Sequence, residues 1–341
     1  MKKENLVLIT NEKVMKSSTN YLCDNIDIKS IPEGLNKNFQ ILLVTRKSKI
    51  ERSHEININD IHIAGNIIFF LINILKTFKK KRMKYLLISI TPYTFLAFLI
   101  LFICKKEIFV YLRSNGYEEH KSIYPFFGTF IYHIMFTIVS WKARLISCRT
   151  HILRGKNGKV VSPSQLSNKW FSSHIDPDLK KIKLLYIGRI KIEKGIFSLL
   201  NILKDLKINF FMSVVSAEKE VSYNINQKNI ELIKFENKNN SIIKLYDSHN
   251  ILILPSFTEG HPQVLDEALS RLRPVIIFED ISHVIGNRQG IFVAKRDPDS
   301  LSKIIVHIMN NYKSIQEKIS KNILPTKEKF LEQISLILNN N

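Results

Sequence analysis

Two acidic residues, Glu259 and Glu267, stand eight positions apart in the stretch ILILPSFTEGHPQVLDEAL near the end of the chain. The apolar run before them predicts a buried strand, and Pro262 marks the start of a helix. Glu259 is therefore expected at the carboxyl edge of a parallel sheet, where open α/β sheets bind ligands. Glycoside hydrolysis also uses two carboxylates, but it needs one of them protonated and room for a water or nucleophile. A helix cap and a solvated helix residue are the plainer alternative.

A basic segment lies about seventy residues upstream, in YIGRIKIEKGIFSLL. The pattern predicts a strand, a turn containing Arg189, and a helix that begins near Lys194 and Gly195. Fixed cations beside the free N–H groups of a helix start form a diphosphate site that needs no metal ion. The alternative is that both are ordinary surface cations in a chain that has 51 lysines and arginines.

These side chains are expected to be positioned by two series of alternating strands and helices, which imply parallel sheets. The first half contains the predicted strands LVLIT, ILLVT, YLLISI and EIFVYLR, with the apolar helices NIIFFLINIL and FLAFLILFI between them. The apolar stretches at 91–104 and 125–141 are both too short to predict a membrane span, and the first is interpreted as a buried crossover helix. After linker-like segments at 159–170 and 172–181, a second series runs from KLLYIGRI to GIFVA.

The motifs GRIKIEKG, PSFTEGHPQVLDEAL, PVI and GIFVAKRDPDSL, in this order and spacing, resemble the C-terminal domain of family 4 glycosyltransferases. The resemblance covers residues 184–310 and implies the GT-B fold, with two Rossmann-like domains whose parallel sheets face a central cleft. It predicts an acceptor-binding, membrane-facing domain over 1–170 and a donor-binding domain over 171–324. A C-terminal helix over 325–341 is expected to pack back on the first domain and close the pair.

The resemblance also implies roles for individual residues. Arg189 and Lys194 would hold the diphosphate of the donor, Glu259 would face its sugar, and Glu267 would hold the nucleotide ribose. Catalysis would then fall to Glu259, Arg189 and Lys194, in a transfer that retains the sugar's configuration and forms no covalent intermediate. The implied donor contacts are Gly188, Arg189, Lys194, Glu259, Gly260, His261 and Glu267.

The chain departs from the family pattern at three places. Arg271, Leu272 and Arg273 stand before Pro274, where many members have a glycine, and DISHVIGN replaces the usual Gly-Gly. NEKVMKSST follows the first strand in place of a glycine-rich loop. The acceptor side is therefore predicted only from position, at the strand end that carries Arg113, Ser114, Glu118, Glu119 and His120.

Charge is concentrated in the first half, where residues 1–170 carry 27 basic and 11 acidic residues. Basic residues follow two apolar helices, which favours attachment to an anionic membrane surface on the cytoplasmic side. The alternative is that they are solvated helix ends in a chain rich in lysine. They are Lys76, Lys79, Lys80, Lys81, Arg82 and Lys84 after the first, and Lys142, Arg144, Arg149, Arg154, Lys156 and Lys159 after the second. The three cysteines and the short apolar start favour a reducing cytoplasm over secretion.

The remaining expectations concern partners. The donor is expected to be a nucleotide sugar and the acceptor a glycan or a lipid-linked glycan, with no metal or other cofactor. Aspartates in the two DPD stretches are interpreted as helix caps. No nucleic-acid motif is recognisable. Two alternatives to sugar transfer stay open, a sugar-nucleotide epimerase of the same fold and a non-catalytic basic protein that binds membranes or nucleic acid.

Overall fold

The computed structural model describes residues 3–17, 20–50, 52–79, 83–216, 228–234 and 241–340. The chain forms two compact units. Unit 1 contains residues 1–163 and 327–341, and unit 2 contains residues 164–326. The sequence placed these divisions at 170/171 and 324/325.

Unit 1 is built on a twisted sheet whose parallel strands run in the order β5-β3-β1-β6-β7-β8-β9. Its strands are β1 (Glu4–Ser17), β2 (Asn20–Cys23), β3 (Phe39–Lys47), β4 (His54–Ile56), β5 (Asp60–Ala64), β6 (Met83–Ile88), β7 (Glu107–Leu112), β8 (Arg144–Ser147) and β9 (Gly158–Val160). Its helices are α1 (Ile26–Leu35), α2 (Ile67–Thr77), α3 (Pro92–Ile103), α4 (Gly116–Ile123) and α5 (Gly128–Lys142).

The first strand explains the missing glycine-rich loop. β1 continues beyond the predicted LVLIT through the NEKVMKS stretch and pairs antiparallel with β2, which in turn pairs antiparallel with β4. Extended backbone therefore occupies the position where the family pattern has a tight turn.

Alternating side chains of the buried strands create two apolar layers, as the two-residue period of a strand requires. On one face, Val7, Tyr85 and Val110 pack with helices α2, α3 and α5. On the other face, Leu8 and Phe109 pack with helix α1 and with the C-terminal helix α11 (Lys327–Asn339).

Helix α11 belongs to the core of unit 1. Phe330, Ile334 and Leu338 are fully buried there, and the Lys84 ammonium donates to the carbonyl of Leu338 at 2.7 Å. Leu336, another apolar position of this helix, is exposed. The helix therefore completes the core with one apolar stripe.

The prediction that α3 is a buried crossover helix was only half right, and helix α2 is likewise buried on one side only. Phe70 and Phe98 are buried against the sheet, but Phe69 and Ile103 are exposed on the outer side. Each helix therefore carries apolar residues on its solvent face as well as on its core face. No helix in the described ranges is long and apolar enough to cross a membrane.

Unit 2 has a parallel sheet in the order β12-β11-β10-β13-β14-β15. Its strands are β10 (Ile182–Ile187), β11 (Phe210–Ser216), β12 (Ile230–Lys234), β13 (Ile251–Leu254), β14 (Val275–Phe278) and β15 (Ile291–Ala294). Its helices are α6 (Ile196–Lys204), α7 (Ser241–Asp247), α8 (Gln263–Ser270), α9 (Pro298–Asn310) and α10 (Tyr312–Ser320). The predicted second series of strands and helices is thus present.

Candidate active site

The two chemical motifs of unit 2 meet because their strands are neighbours. Strand β10 pairs in parallel with β13, so the carboxyl ends of both strands lie at the same edge of the sheet. The loops that follow are joined by a backbone hydrogen bond, in which the Phe257 N–H donates to the carbonyl of Glu193 at 3.0 Å. Residues about 65 positions apart in sequence therefore form one site.

Gly195 allows this close approach of the two loops. Its φ of +67° is a left-handed conformation that favours glycine. A Cβ atom at this position would lie 1.9 Å from the carbonyl oxygen of Pro255. A side chain here would force the loop that carries Lys194 away from the loop that carries Glu259.

We expect Gly195→Ala to destabilise unit 2 by about 2 kcal/mol or more, from left-handed strain and the clash with Pro255. Chemical denaturation of the purified variant measures the change. Gly260→Ala is the matched control, since a Cβ there meets no heavy atom within 4 Å, and its change should stay within about 0.5 kcal/mol. Equal stability of the two variants would contradict the proposed role of Gly195.

Lys194 and Glu259 form the centre of the candidate site. The Lys194 ammonium donates to Glu259 Oε1 at 2.6 Å, and the Ser256 hydroxyl donates to the same oxygen at 2.7 Å. Both charged side chains are mostly shielded from solvent, with 22% and 12% of their areas exposed. An ammonium has three donors, so this contact leaves Lys194 able to bind a phosphate oxygen as well.

Arg189 lies in the same turn as Lys194 but takes no part in the Lys194–Glu259 ion pair. Its side chain is exposed, and within the described ranges it makes no ion pair. Its main chain is fixed, because the Tyr186 hydroxyl donates to its carbonyl at 2.7 Å. A Cβ on the intervening Gly188 would lie 2.8 Å from that hydroxyl, which explains the glycine.

The turn after Glu259 is held by histidine and arginine contacts. His283 donates a ring N–H to the carbonyl of Glu259 at 2.8 Å. His261 Nε2 lies 3.4 Å from Asp266 Oδ2, and Arg288 pairs with the other oxygen of this buried carboxylate. His283 belongs to the stretch that replaces the family's Gly-Gly, and its part in shaping this turn was not predicted.

Glu267 lies in helix α8, as predicted, and is separate from the Lys194–Glu259 pair. It is half-buried, and the hydroxyl of the fully buried Tyr246 donates to its Oε2 at 2.7 Å. Burial raises the pKa of Glu267 to about 7, while the bond from Tyr246 opposes this shift. The carboxyl group can therefore exchange a proton near neutral pH.

This raised pKa predicts a pH-dependent stability. The folded chain binds the Glu267 proton more tightly than the unfolded chain, so this contribution is fully present below pH 4.5 and is lost as pH rises through 7. At pH 8, Glu267→Gln should therefore be more stable than the parent by on the order of 1–3 kcal/mol, with a smaller difference at pH 5.

Urea unfolding of parent and variant at the two pH values measures this difference. Glu317→Gln, at an exposed position of helix α10, is the control and should show no such pH trend. An equal difference at both pH values would show that Glu267 keeps an ordinary pKa.

Arg296 is a further residue of the site that the sequence analysis missed. Its guanidinium donates to the carbonyls of Pro255 and Ser256 at 2.9 and 3.2 Å and pairs with Asp280. It also lies 4.0 Å from the ring centroid of Phe257. Arg296 thus fixes the loop that carries Glu259. Its position just after β15, at the same edge of the sheet, is the sequence signal that could have indicated it.

The departure before Pro274 has a structural explanation. Arg271 is buried and forms two hydrogen bonds, both 2.9 Å, with the carboxylate of Asp247, and it also donates to the carbonyls of Trp170, Ser172 and Ser173. Leu272 has a φ of +57°, the conformation that a glycine would adopt without strain. The bonds of Arg271 to Trp170, Ser172 and Ser173 anchor the start of unit 2.

The predicted acceptor-side residues belong to unit 1. Arg113 lines a cavity of about 130 Å³ with Glu12 and Ser89 at the carboxyl edge of the sheet. Burial disfavours its charge, yet Asp27 and Glu12 raise the pKa of Arg113 above its usual value.

The other predicted residues of this group differ in exposure. Ser114 donates to Glu119, Glu118 accepts from Asn115, and both of these contacts are at the surface. His120 is buried in helix α4, where its ring contacts the carbonyl of Gly116, so it does not belong to the strand end on which it was predicted.

Metal-binding residues are not grouped in the part of the chain that the structure describes, where no set of three or more His, Cys, Asp or Glu side chains is arranged to hold an ion. Asp297, in the second DPD stretch, caps helix α9 by accepting from the Ser300 N–H at 2.7 Å. This confirms its interpretation as a cap.

Comparison with known proteins shows a family match for the second unit. Residues 170–324 match the family model of glycosyl transferases group 1. A segment of 123 residues is 26% identical to TuaC of Bacillus subtilis (strain 168), provisionally named a teichuronic acid biosynthesis glycosyltransferase. That match covers 36% of this chain and 31% of TuaC.

Solved structures extend the likeness to both units. The Anabaena protein Alr3699/HepE, crystallised with UDP-glucose, is 12% identical with a TM-score of 0.67, covering 98% of each chain. WaaG, a glycosyltransferase involved in lipopolysaccharide biosynthesis, is 13% identical with a TM-score of 0.67, covering 98% of this chain and all of the other. At this identity the likeness shows the fold, and the predicted GT-B class is confirmed.

Proposed function

Because residues 170–324 match the family model of glycosyl transferases group 1, we propose that this chain is a retaining glycosyltransferase. It moves a sugar from a nucleoside diphosphate onto a lipid-linked or surface-polysaccharide acceptor, as in the synthesis of lipopolysaccharide or capsule. The observation that carries the proposal is the contact of Lys194 with Glu259 at the joined ends of β10 and β13. TuaC and WaaG, whose names refer to cell-surface glycans, favour this class of acceptor.

The proposed reaction separates charge between two groups of side chains. As the bond between the sugar and the diphosphate breaks, Arg189 and Lys194 neutralise the negative charge that grows on the leaving phosphate. Glu259, held by Ser256 and Lys194, faces the positive charge that grows on the sugar ring. The acceptor hydroxyl then bonds to the sugar on the face that the diphosphate leaves, and its proton passes to the departing phosphate oxygen.

The nucleotide is assigned to the neighbouring residues. In this proposal Glu267 accepts hydrogen bonds from the ribose hydroxyls, and the N–H groups of Gly260 and His261 donate to the sugar and phosphates. We assign no metal to the reaction because the two cations Arg189 and Lys194 can supply the charge that a metal would give. The UDP-glucose bound by HepE makes UDP-sugars the first donors to test.

Thermal unfolding with a panel of nucleotide sugars tests the donor. The matching donor at a concentration far above its Kd should raise the Tm, since it binds only the folded chain. Chromatography of products with a lipid-linked acceptor then separates transfer from epimerisation, because an epimerase releases an altered nucleotide sugar and leaves the acceptor unchanged. NMR of the product's anomeric configuration tests retention. A chain that no nucleotide sugar stabilises, and that alters none, would favour the non-catalytic alternative.

We also propose that the chain works as a peripheral protein on the inner face of the membrane. Lys76 and Lys79 are exposed at the end of helix α2, as this proposal needs, whereas Lys84 is buried and bound to Leu338 and Glu4. The remaining basic residues of that cluster, at positions 80–82, lie outside the described residues. The second group is exposed apart from Arg149, which is half-buried.

A further inference from the structure

The outer surface of the helix layer in unit 1 is unusually apolar. Helices α2, α3 and α5 lie side by side in one core layer, and residues 124–127 lead into α5. We call the solvent side of these elements the helical apolar face. It exposes 91% of Phe126, 77% of Trp141 and 75% of Ile103. Phe69, Phe127 and Phe130 are also more than half exposed. Soluble monomers seldom leave so many large apolar side chains together in water.

The helical apolar face is bordered by cations and carries no acid. The sequence has no Asp or Glu from 61 to 106, nor from 120 to 175, so helices α2, α3 and α5 contain none. Exposed lysines stand at the C-terminal ends of these helices, at positions 76, 79, 105 and 142. The Lys106 ammonium lies 4.7 Å from the ring centroid of Phe78, which shows that the ends of α2 and α3 meet.

We propose that the helical apolar face inserts into the interfacial region of an anionic lipid bilayer. Aromatic side chains such as Phe126 and Trp141 favour the boundary between headgroups and acyl chains, and the bordering lysines would contact lipid phosphates. The bordering lysines distinguish a lipid bilayer from the other possible partners of this face. A second copy of the chain would bring the same lysines against one another in a two-fold contact, and nucleic acid would leave the aromatic surface in water.

This inference extends the proposed function by naming the surface that reaches a lipid-linked acceptor. It also changes the character of the attachment. Lysines alone would give binding that high salt abolishes, because surface charges are screened. Apolar insertion adds a part that salt does not remove, and it places particular side chains inside the bilayer.

Trp141 provides a direct test. The chain has only two tryptophans, and the other, Trp170, is buried in unit 2. On vesicles of phosphatidylcholine and phosphatidylglycerol, the emission of Trp141 should shift to shorter wavelength and be quenched by lipids brominated on their acyl chains. Trp141→Phe should remove the quenched signal. Binding without quenching would overturn insertion and leave only a charge contact.

A combined variant tests the energetic contribution of the face. Phe126→Ser, Phe127→Ser and Phe130→Ser together should lower the vesicle partition coefficient by more than about ten-fold, since each removes exposed apolar area that the bilayer would bury. The matched control combines Ile175→Ser, Ile323→Ser and Leu336→Ser, three exposed apolar positions elsewhere. The control should bind vesicles like the parent.

The remaining outcomes also decide the inference. If the combined variant partitions like the parent, or if the parent ignores anionic vesicles, the inference is wrong. A parent dimer that ignores vesicles, and that the combined variant dissociates in sedimentation, would assign the face to self-association instead. The Tm of the variant checks its folding, and its stabilisation by a nucleotide sugar should equal that of the parent. Failure of membrane insertion can thus be told from failure of the proposed sugar transfer.

Discussion

Glu259→Gln should lower turnover by about 100-fold or more, with little change in nucleotide affinity. The amide keeps the shape of the side chain and can still accept from Ser256, but it removes the negative charge that faces the developing sugar cation. The loss should be larger in turnover than in KM, because the charge matters most in the transition state. Steady-state kinetics with the matching donor and acceptor measure both quantities.

The structure adds a second effect to this variant. Without the carboxylate, Lys194 loses its ion pair at 2.6 Å and becomes a freer partner for phosphate. Nucleotide diphosphate affinity should therefore stay equal or rise while turnover falls. Glu317→Gln, the same chemical change on helix α10, is the control for activity. Normal turnover in Glu259→Gln would remove this residue from the mechanism.

Neutralising either cation of the basic segment, Arg189 or Lys194, should weaken the binding of the nucleotide. Arg189→Ala and Lys194→Ala should each lower the affinity for the free nucleotide diphosphate and for the nucleotide sugar by about ten-fold or more, as a charged hydrogen bond of ~1.5–3 kcal/mol requires. Isothermal titration calorimetry measures both affinities. The two ligands should be affected alike, because both carry the diphosphate.

Lys191→Ala is the matched control for these variants. Lys191 is exposed in the same turn, between the two proposed phosphate ligands. Its replacement by alanine removes the same positive charge. Its variant should bind nearly as the parent does. If all three variants weaken binding equally, the effect belongs to the overall positive charge of the turn. If Arg189→Ala binds normally, the exposed guanidinium is an ordinary surface cation.

The fold was predictable because parallel strands that are buried on both faces are continuous apolar runs. LVLIT and ILLVT were recognised as strands in this way, and both lie in the sheet of unit 1. The end of β1 was missed, since NEKVMKS has no such run. It is extended because it pairs with β2, a partner that no local pattern reveals.

The location of the candidate site was predictable from the sequence, but its contacts were predictable only in part. A strand end followed by a helix start locates Glu259 and Lys194 at one edge of the sheet. The bond between them, and those of Arg296 and Tyr246, join residues that are distant in sequence. Spacing contains no information on such pairs, because they depend on how loops from different strands pack.

Helix burial shows the same limit. Apolar content indicated a buried crossover helix for α3 and a helix apolar nearly all round for α2, and their inner residues Phe98 and Phe70 are buried. A helix that carries apolar residues on every side can be covered by other parts of the protein on all sides, or one side can face another apolar environment such as a lipid bilayer. The sequence could not distinguish these cases, because the distinction depends on which elements the chain supplies to cover the outer side.

The place of helix α11 has a consequence for synthesis on the ribosome. Phe330, Ile334 and Leu338 complete one apolar layer of unit 1, but about 160 residues of unit 2 are translated between them and the rest of that layer. At ~5–20 residues per second, the nascent sheet waits roughly 10–30 s with this layer incompletely covered. Unit 2 can finish folding before unit 1 does. We therefore expect chaperones that bind apolar segments to engage the first 160 or so residues until translation passes position 338.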